Sequence, residues 1–406
     1  MTVQDYASFK SATTAEALLI DVARKIQLTP TKHDKAVVSY TALCDYVDRA
    51  GSPLEGLVVT CYPSGSFGIG AVVASKVSSS QHDLDVVVEL ELPMTTPAAV
   101  VLGLLYMAIR GEAGSRYYSK TTLNSRCVTV EYDDGFTVDL MPIIRDGSNI
   151  DRRGYLSHHK AGEAYQKPVN PYGFKTLYND TVVTDPAFVE SFRLNDRTIV
   201  VSKSLVEPMD DHVRLEEKSP RTVALQLMKR FRDLRHRQAS RRGQRCVPSV
   251  VLAAWSLDKP DPRSSVLWEL IEQARYIRLQ LDVARITGTL VDVLNPSWRE
   301  DRFTDRWPQS ASEQNNLYAD LGDLIVKLEQ LGRDVFSPSA AKAILQDLFG
   351  ETAADYALNE EVARTARAAD RGQLKFSPTG AVLSGAAAAT STRAAARPST
   401  DFGGDH

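Results

Sequence analysis

A chain of 406 residues, 43% hydrophobic and 24% charged, is too long for one compact core; its composition suits two packed globular domains plus a tail. Its formal net charge of -3 gives the whole molecule no strong pull toward nucleic acid or anionic lipid, though a local basic patch can still have one. The longest apolar run, near Ala98 to Ile109, is too short to span a bilayer, and the polar start MTVQDYASFK has no signal-peptide character. Cys44, Cys61, Cys127 and Cys246 are scattered without zinc-ligand spacing, so a cytoplasmic protein with free thiols and no membrane partner is expected.

Residues 14–49 read as helix interrupted at Pro30, with Leu18, Leu19, Val22, Ala23 and Ile26 at helical spacing. LVVTCYPS, residues 57–64, is β-branched and apolar and predicts a strand, followed by GSFGIG and the polar loop AVVASKVSSSQH. DLDVVVELEL, residues 83–92, alternates: Leu84, Val86, Val88, Leu90 and Leu92 share one face, and Asp83, Asp85, Glu89 and Glu91 share the other. A helix is predicted over 97–110. A hairpin follows, RCVTVEY and FTVDLMPIIR around the turn at Asp134-Gly135. Beyond about residue 157 the chain reads as mainly helical, with helices near 188–203, 219–238, 248–257, 264–286, 314–332, 338–349 and 353–370. From about Phe376 the chain is Ala, Ser, Thr, Gly and Pro with few large apolar residues, the composition of a disordered tail.

Asp83 and Asp85 leave the same face of their strand, ~6.5–7 Å apart along the backbone. Two carboxylates pointing one way repel, and a divalent cation between them removes that cost. If the strand carrying Asp139 neighbours theirs, three carboxylates gather. That is enough for two metals ~3.5–4 Å apart, which stabilise the attacking and leaving oxygens of an in-line displacement at phosphorus. A lone Asp-x-Asp on a strand is more often a solvated face, and Glu89 and Glu91 are read as that; Asp133 and Asp134 belong to the turn. What lifts Asp83 and Asp85 is Gly65-Ser66 just after the preceding strand, where glycine permits close backbone approach and exposed amides make a nest for phosphate. No Gly-Lys-Ser/Thr follows, so this is not a Walker loop.

Strand, Gly-Ser, loop, Asp-x-Asp and a third Asp on a later hairpin strand resemble the DNA polymerase beta-type nucleotidyltransferases, and within them the bacterial CD-NTases, relatives of cyclic GMP-AMP synthase and oligoadenylate synthase. The resemblance covers most of residues 1–330. The early helix resembles the family's spine helix, VALQLMKRFRDLRHR its Leu-Lys-Arg helix, VPSVVLAAW its Pro-Ser helix, and NPSWREDRFTDRW its Asn-Pro segment. Sixteen residues separate Ser66 from Asp83, a longer loop than the family pattern, and the Arg and Thr common after Gly-Ser are missing.

The resemblance implies an α+β fold: a nucleotidyltransferase core with a mixed sheet and a spine-like N-terminal helix over residues 1–185, a helical domain over 186–375, and the tail over 376–406. It also implies two Mg2+ ions (Mn2+ can substitute) at Asp83, Asp85 and Asp139, with Gly65, Ser66, Lys229 and Ser249 binding nucleotide. The expected reaction joins ATP, GTP or other nucleoside triphosphates into a cyclic di- or trinucleotide messenger for antiphage defence. That product would act on a downstream effector, and CBASS conjugation or HORMA-type accessory proteins would engage the tail; a nucleic-acid activator stays open. The competing readings are a template-independent transferase that extends RNA or labels protein, and a silent nucleotide-binding module. The basic run from Lys229 to Arg245 reads as a solvated helix end or a partner surface, and Trp255, Trp268, Trp298 and Trp307 read as core.

Overall fold

Threonine and proline set the first junction. In the computed structural model, which describes residues 3–73, 83–148, 152–186, 188, 212–333, 337–371, 375–376 and 382–383, α1 (Val3–Ile26) ends before Pro30 and α2 (Pro30–Val47) begins on it. The Thr29 hydroxyl accepts the Lys32 amide, and proline at the first helical position gives up no intrahelical bond. The helix expected near 188–203, most of the loop before Asp83 and most of the tail lie outside the described residues.

The chain groups into two compact units, one of Met1–Lys25 with Lys327–His406, the other of Ile26–Val326. In the first, α1 contributes buried Leu18, Leu19 and Val22, and α10 (Pro338–Phe349) and α11 (Glu351–Asp370) contribute buried Leu345, Leu348 and Ala357. Fully buried Asp21 is neutralised by Arg24 at 2.6 Å and by Arg364 of α11 at 2.5 Å.

The second unit holds a seven-stranded sheet made of β1 (Val58–Pro63), β2 (Asp83–Leu90), β3 (Thr121–Leu123), β4 (Val128–Glu131), β5 (Thr137–Arg145), β6 (Gly154–Lys160) and β7 (Glu163–Val169). The order is β1-β2-β5-β4-β3, and β6 joins β5 beyond β4 and carries β7. β2 and β5 run parallel while the other pairs are antiparallel, so the sheet is mixed, as expected. On one face Leu84, Val86, Val88 and Leu90 join Val138, Leu140 and Ile144 beneath α2 and α4 (Ala98–Arg110) in the main core. Each such side chain contributes roughly 1.5–3 kcal/mol when removed from water.

The opposite face corrects the sequence reading of Glu89. There Tyr62, Val87, Ile143, Leu156 and Val169 form a second apolar cluster with Met141 and Tyr172. Because β2 is covered on both faces below its first three residues, alternation no longer sorts buried from exposed. Glu89 is 1% exposed, with Arg145 4.0 Å away, and only Glu91 is at the surface. The chain after 157 is also not simply helical, since β6 and β7 form a hairpin there. Their segments YLSHHK and EAYQKPV lack the apolar alternation that announces a strand, and it is pairing to β5 that holds them.

Then come α5 (Pro171–Thr181), α6 (Pro220–His236), α7 (Ser249–Asp258), α8 (Val266–Thr287), the short ribbon β8 (Leu294–Asn295) and β9 (Trp298–Arg302), and α9 (Ala311–Arg333). α6 is buried from Pro220 to Phe231 and packs against α7 and α8. The Asn-Pro segment serves as a staple: Asn295 donates to the Asn170 carbonyl and to Asp301, each at 3.0 Å, and Asn170 caps α5. Trp255 and Trp307 are core and meet edge-on, whereas Trp298 is half-buried beside Tyr155 and Trp268 is 43% exposed, so the expectation of four core tryptophans fails at Trp268. No helix among the described residues is long and apolar enough to cross a membrane.

Candidate active site

The parallel pairing of β2 with β5 brings the three acids together. Asp85 and Asp139 are register partners, and Asp83 is partnered by Thr137. Antiparallel β4 sets Thr129 opposite Asp139. Each outer acid therefore receives a hydroxyl from the neighbouring strand: Thr137 Oγ1 donates to Asp83 Oδ1 and Thr129 Oγ1 to Asp139 Oδ1. These threonines escaped the sequence reading. Thr137 shares a face with Asp139 by simple alternation, but only strand register shows which acid it meets.

Asp85 lies between the other two. Burial, with Asp139 and Asp83 beside it, pushes its carboxyl up to about 7, against a pull in the other direction from Lys229. Burial also raises Asp139 above the usual carboxylate range, opposed by its bond from Thr129. Carboxyls crowded and buried in this way gain from any cation placed beside them, because it offsets both the burial and the mutual repulsion. All the donors are hard oxygens, which fits magnesium. Among the described residues no three acidic, cysteine or histidine side chains already close around one point. Asp85 and Asp139, paired across β2 and β5, are the two acids that the register places directly side by side.

The turn after β1 is built onto Asp85. The Ser64 amide donates to the Asp85 carbonyl at 2.8 Å, and α3 (Gly65–Gly68) starts at once. Gly65 has φ +55°, and a Cβ there would collide with Asp85 Oδ2, so the position requires glycine. Lys229 reaches the turn from α6, its Nζ donating to Ser66 Oγ at 2.6 Å and to the Ala71 carbonyl at 2.7 Å. At 3% exposure this ammonium is pushed down to about 7 by burial and by Arg232. The structure thus unites Gly65, Ser66 and Lys229 with Asp85. Ser249, the first residue of α7, accepts from Arg232 Nη1 at 3.0 Å, and α7 packs against α3.

Ser66→Ala is expected to weaken triphosphate binding by roughly 0.5–1.5 kcal/mol, or up to about 3 if the partner oxygen is charged. Calorimetry with a non-hydrolysable triphosphate measures it, and unchanged affinity would remove Ser66 from the phosphate contacts.

Most of the basic run is neither solvated nor free for a partner. Arg232 bonds Asp233 and the Val247 carbonyl, Arg235 pairs with Asp323, Arg241 with Asp320 at 2.8 Å, and Arg245 donates to the Arg306 carbonyl at 3.0 Å. These arginines tie the end of α6 and the segment after it to α9 and its approach, while Arg237 and Arg242 stay exposed. A cavity of about 290 Å³, lined by Leu28, His33, Phe67, Ile69, Tyr178 and Lys218 among others, adjoins the turn but includes none of the three aspartates.

A mixed sheet with three aspartates on one face beside a Gly-Ser turn is the arrangement of a polymerase beta-type nucleotidyltransferase. No protein-family model matches the chain. It is 32% identical over 404 residues to the cyclic dinucleotide synthase CdnG of Bradyrhizobium diazoefficiens, spanning 96% of this chain and 94% of that protein. The solved structure of that CD-NTase in complex with GTP superposes with a TM-score of 0.72 at 31% identity, over 85% of this chain and 98% of the other. A complex of Escherichia coli CdnC with a HORMA protein shares the fold, with a TM-score of 0.53 at 16% identity over 82% and 96% of the two chains. The chain belongs to the CD-NTase family, and it is a nucleotidyltransferase.

Proposed function

We propose that this enzyme joins nucleoside triphosphates into a cyclic di- or trinucleotide messenger with release of pyrophosphate, and that Asp83, Asp85 and Asp139 are its catalytic carboxylates. The observation that carries the reading is the register pairing of Asp85 with Asp139, with Lys229 reaching Ser66 beside them. The relative's name favours the dinucleotide.

In this reading the sequence divides functionally into the core, 1–185, and the helical half, 186–375. Ser66 and the Gly65 backbone hold the outer phosphates, and Lys229 balances their charge. Ser249 completes the cradle from α7. Two magnesium ions, or manganese in their place, would be held by the three aspartates and would supply acidification of the acceptor ribose hydroxyl and charge neutralisation of the leaving pyrophosphate. Asp139 orients the acceptor hydroxyl for attack on the α-phosphorus, and Asp83 and Asp85 hold the donor in line. A cytoplasmic role in antiphage defence, a downstream effector, and accessory conjugation or HORMA-type proteins meeting the segment after residue 376 belong to the same reading. Their support is the family membership and that segment's composition.

Incubating the protein with each labelled triphosphate and magnesium, then phosphatase, separates the readings. A phosphatase-resistant small product supports the messenger synthase; label in macromolecules transfers the activity to RNA or protein modification; absence of pyrophosphate release overturns turnover altogether. Asp139→Asn is expected to cut turnover to below about a hundredth while triphosphate still binds. Loss of binding in calorimetry would overturn the division of roles among the acids.

A further inference from the structure

We infer that Thr129, oriented by Asn124, is a positioning residue for Asp139; the inference rests on the reading of Asp139 as a catalytic carboxylate. A threonine hydroxyl has one proton and two lone pairs, and it rotates to suit its neighbours. The Asn124 amide donates to Thr129 Oγ1 at 2.7 Å. A donor on that side occupies a lone pair, so the hydroxyl proton is directed at Asp139 Oδ1, to which Thr129 donates. Asn124 lies just past the end of β3 and Thr129 opposite Asp139 on β4, so the relay runs across the hairpin onto β5.

The chemistry asks for such a device. Asp139 stands opposite Asp85, and whenever both are ionised repulsion favours rotation of its carboxylate away from Asp85. One fixed hydroxyl donor selects a single rotation about the Cβ–Cγ bond. Residues that orient carboxylate ligands from behind are typically worth about 10–100-fold in metal affinity or activity. The other two acids are braced differently: Asp83 by Thr137, and Asp85 by close packing on Gly65. The Cys127 thiol also reaches Asp139 and lies 4.0 Å from Thr129 Oγ1, but a thiol is a weak donor and cannot replace the hydroxyl.

The strand itself does not need the hydroxyl. Valine has the same shape and an equal liking for β-structure, so Thr129→Val removes the donor and leaves β4 in place.

The test compares wild type, Thr129→Val, Thr129→Ser, Asn124→Ala and Cys127→Ala by steady-state pyrophosphate release. In parallel, manganese binding is followed by electron paramagnetic resonance in the presence of a non-hydrolysable triphosphate. For Thr129→Val, kcat is expected to fall about 10–100-fold with KM for triphosphate within about twofold, and manganese binding to weaken by a similar factor. Thr129→Ser should restore both to within about threefold, Asn124→Ala should fall between, and Cys127→Ala should stay within about threefold of wild type. The inference is overturned if Thr129→Val, folded by circular dichroism, keeps kcat and manganese affinity within about twofold of wild type, or if serine fails to rescue. A wild-type protein that releases no pyrophosphate at all would instead overturn the proposed function, so the two failures are distinguishable.

Discussion

Asp85→Ala, and separately Asp83→Ala, should reduce pyrophosphate release to below about a hundredth of wild type while the chain still folds. Both side chains sit on a β2 whose apolar alternation, Leu84 through Leu90, carries the packing, so removing either acid leaves the main core untouched. Activity persisting above a few per cent in both variants would sink the assignment of the site. Stability gives a second, independent readout. The Asp85 carboxyl is pushed up to about 7 in the folded chain, so in metal-free protein its ionisation opposes folding. The unfolded chain releases that proton near the ordinary carboxylate value and the folded chain only near 7. Stability therefore falls as pH rises between those values, and the full penalty is present above 7. Asp85→Asn should then be more stable than wild type by roughly 2 kcal/mol at pH 8 with chelator present, less than the whole shift implies because the residue is only partly buried. The advantage should vanish below about pH 4. Urea midpoints at the two pH values measure it, and equal midpoints at pH 8 would mean that the three acids do not burden one another.

Lys229→Met should raise KM for triphosphate about 10–150-fold, the equivalent of a hydrogen bond to a charged partner worth roughly 1.5–3 kcal/mol. Methionine is unbranched and of similar length and fills the same buried space beside α6, so the main loss is of the ammonium. That ammonium bonds Ser66 and the Ala71 carbonyl, and in the proposed function it also faces the triphosphate. The ammonium is pushed down to about 7, which gives wild type a stability that climbs from pH 7 toward the ordinary lysine range, as the folded chain sheds a proton that the unfolded chain retains. The methionine variant lacks that climb. An unchanged KM would remove Lys229 from the triphosphate contacts, and an unchanged slope would mean that burial does not depress its ammonium.

The sequence shows the chemistry more openly than the architecture around it. Asp83, Asp85 and Asp139 could be read because apolar alternation places each on a strand face and because hairpin punctuation at Asp134-Gly135 anchors the later strand. What alternation cannot supply is the partner. Parallel pairing of β2 with β5 decides that Asp85 meets Asp139, that Thr137 meets Asp83, and that Glu89 on the same face is buried. The β6–β7 hairpin was illegible because its polar segments are held by neighbours rather than by their own pattern. α5 is absent from the expected helices although its signal is present, since Asn170-Pro171 is a cap followed by a first-turn proline. Lys229 was found by resemblance, and its burial to 3% could not have been read from a helix segment so rich in cations.

The contact between Gly65 and Asp85 also explains why the long connection from Ser66 to Asp83 is tolerable. The Gly65-Ser66 turn and the acid strand are clamped by the Ser64–Asp85 backbone bond, by the pairing of Tyr62 with Val87, and by Lys229 on Ala71. Their spacing is therefore set across the sheet and not along the chain. The entropy of closing a loop grows only logarithmically with its length, about 0.6 kcal/mol for each doubling. The separation of Ser66 from Asp85 therefore does not depend on how many residues the chain spends between Val73 and Asp83, which frees the length of a connection from the placement of the two segments it joins.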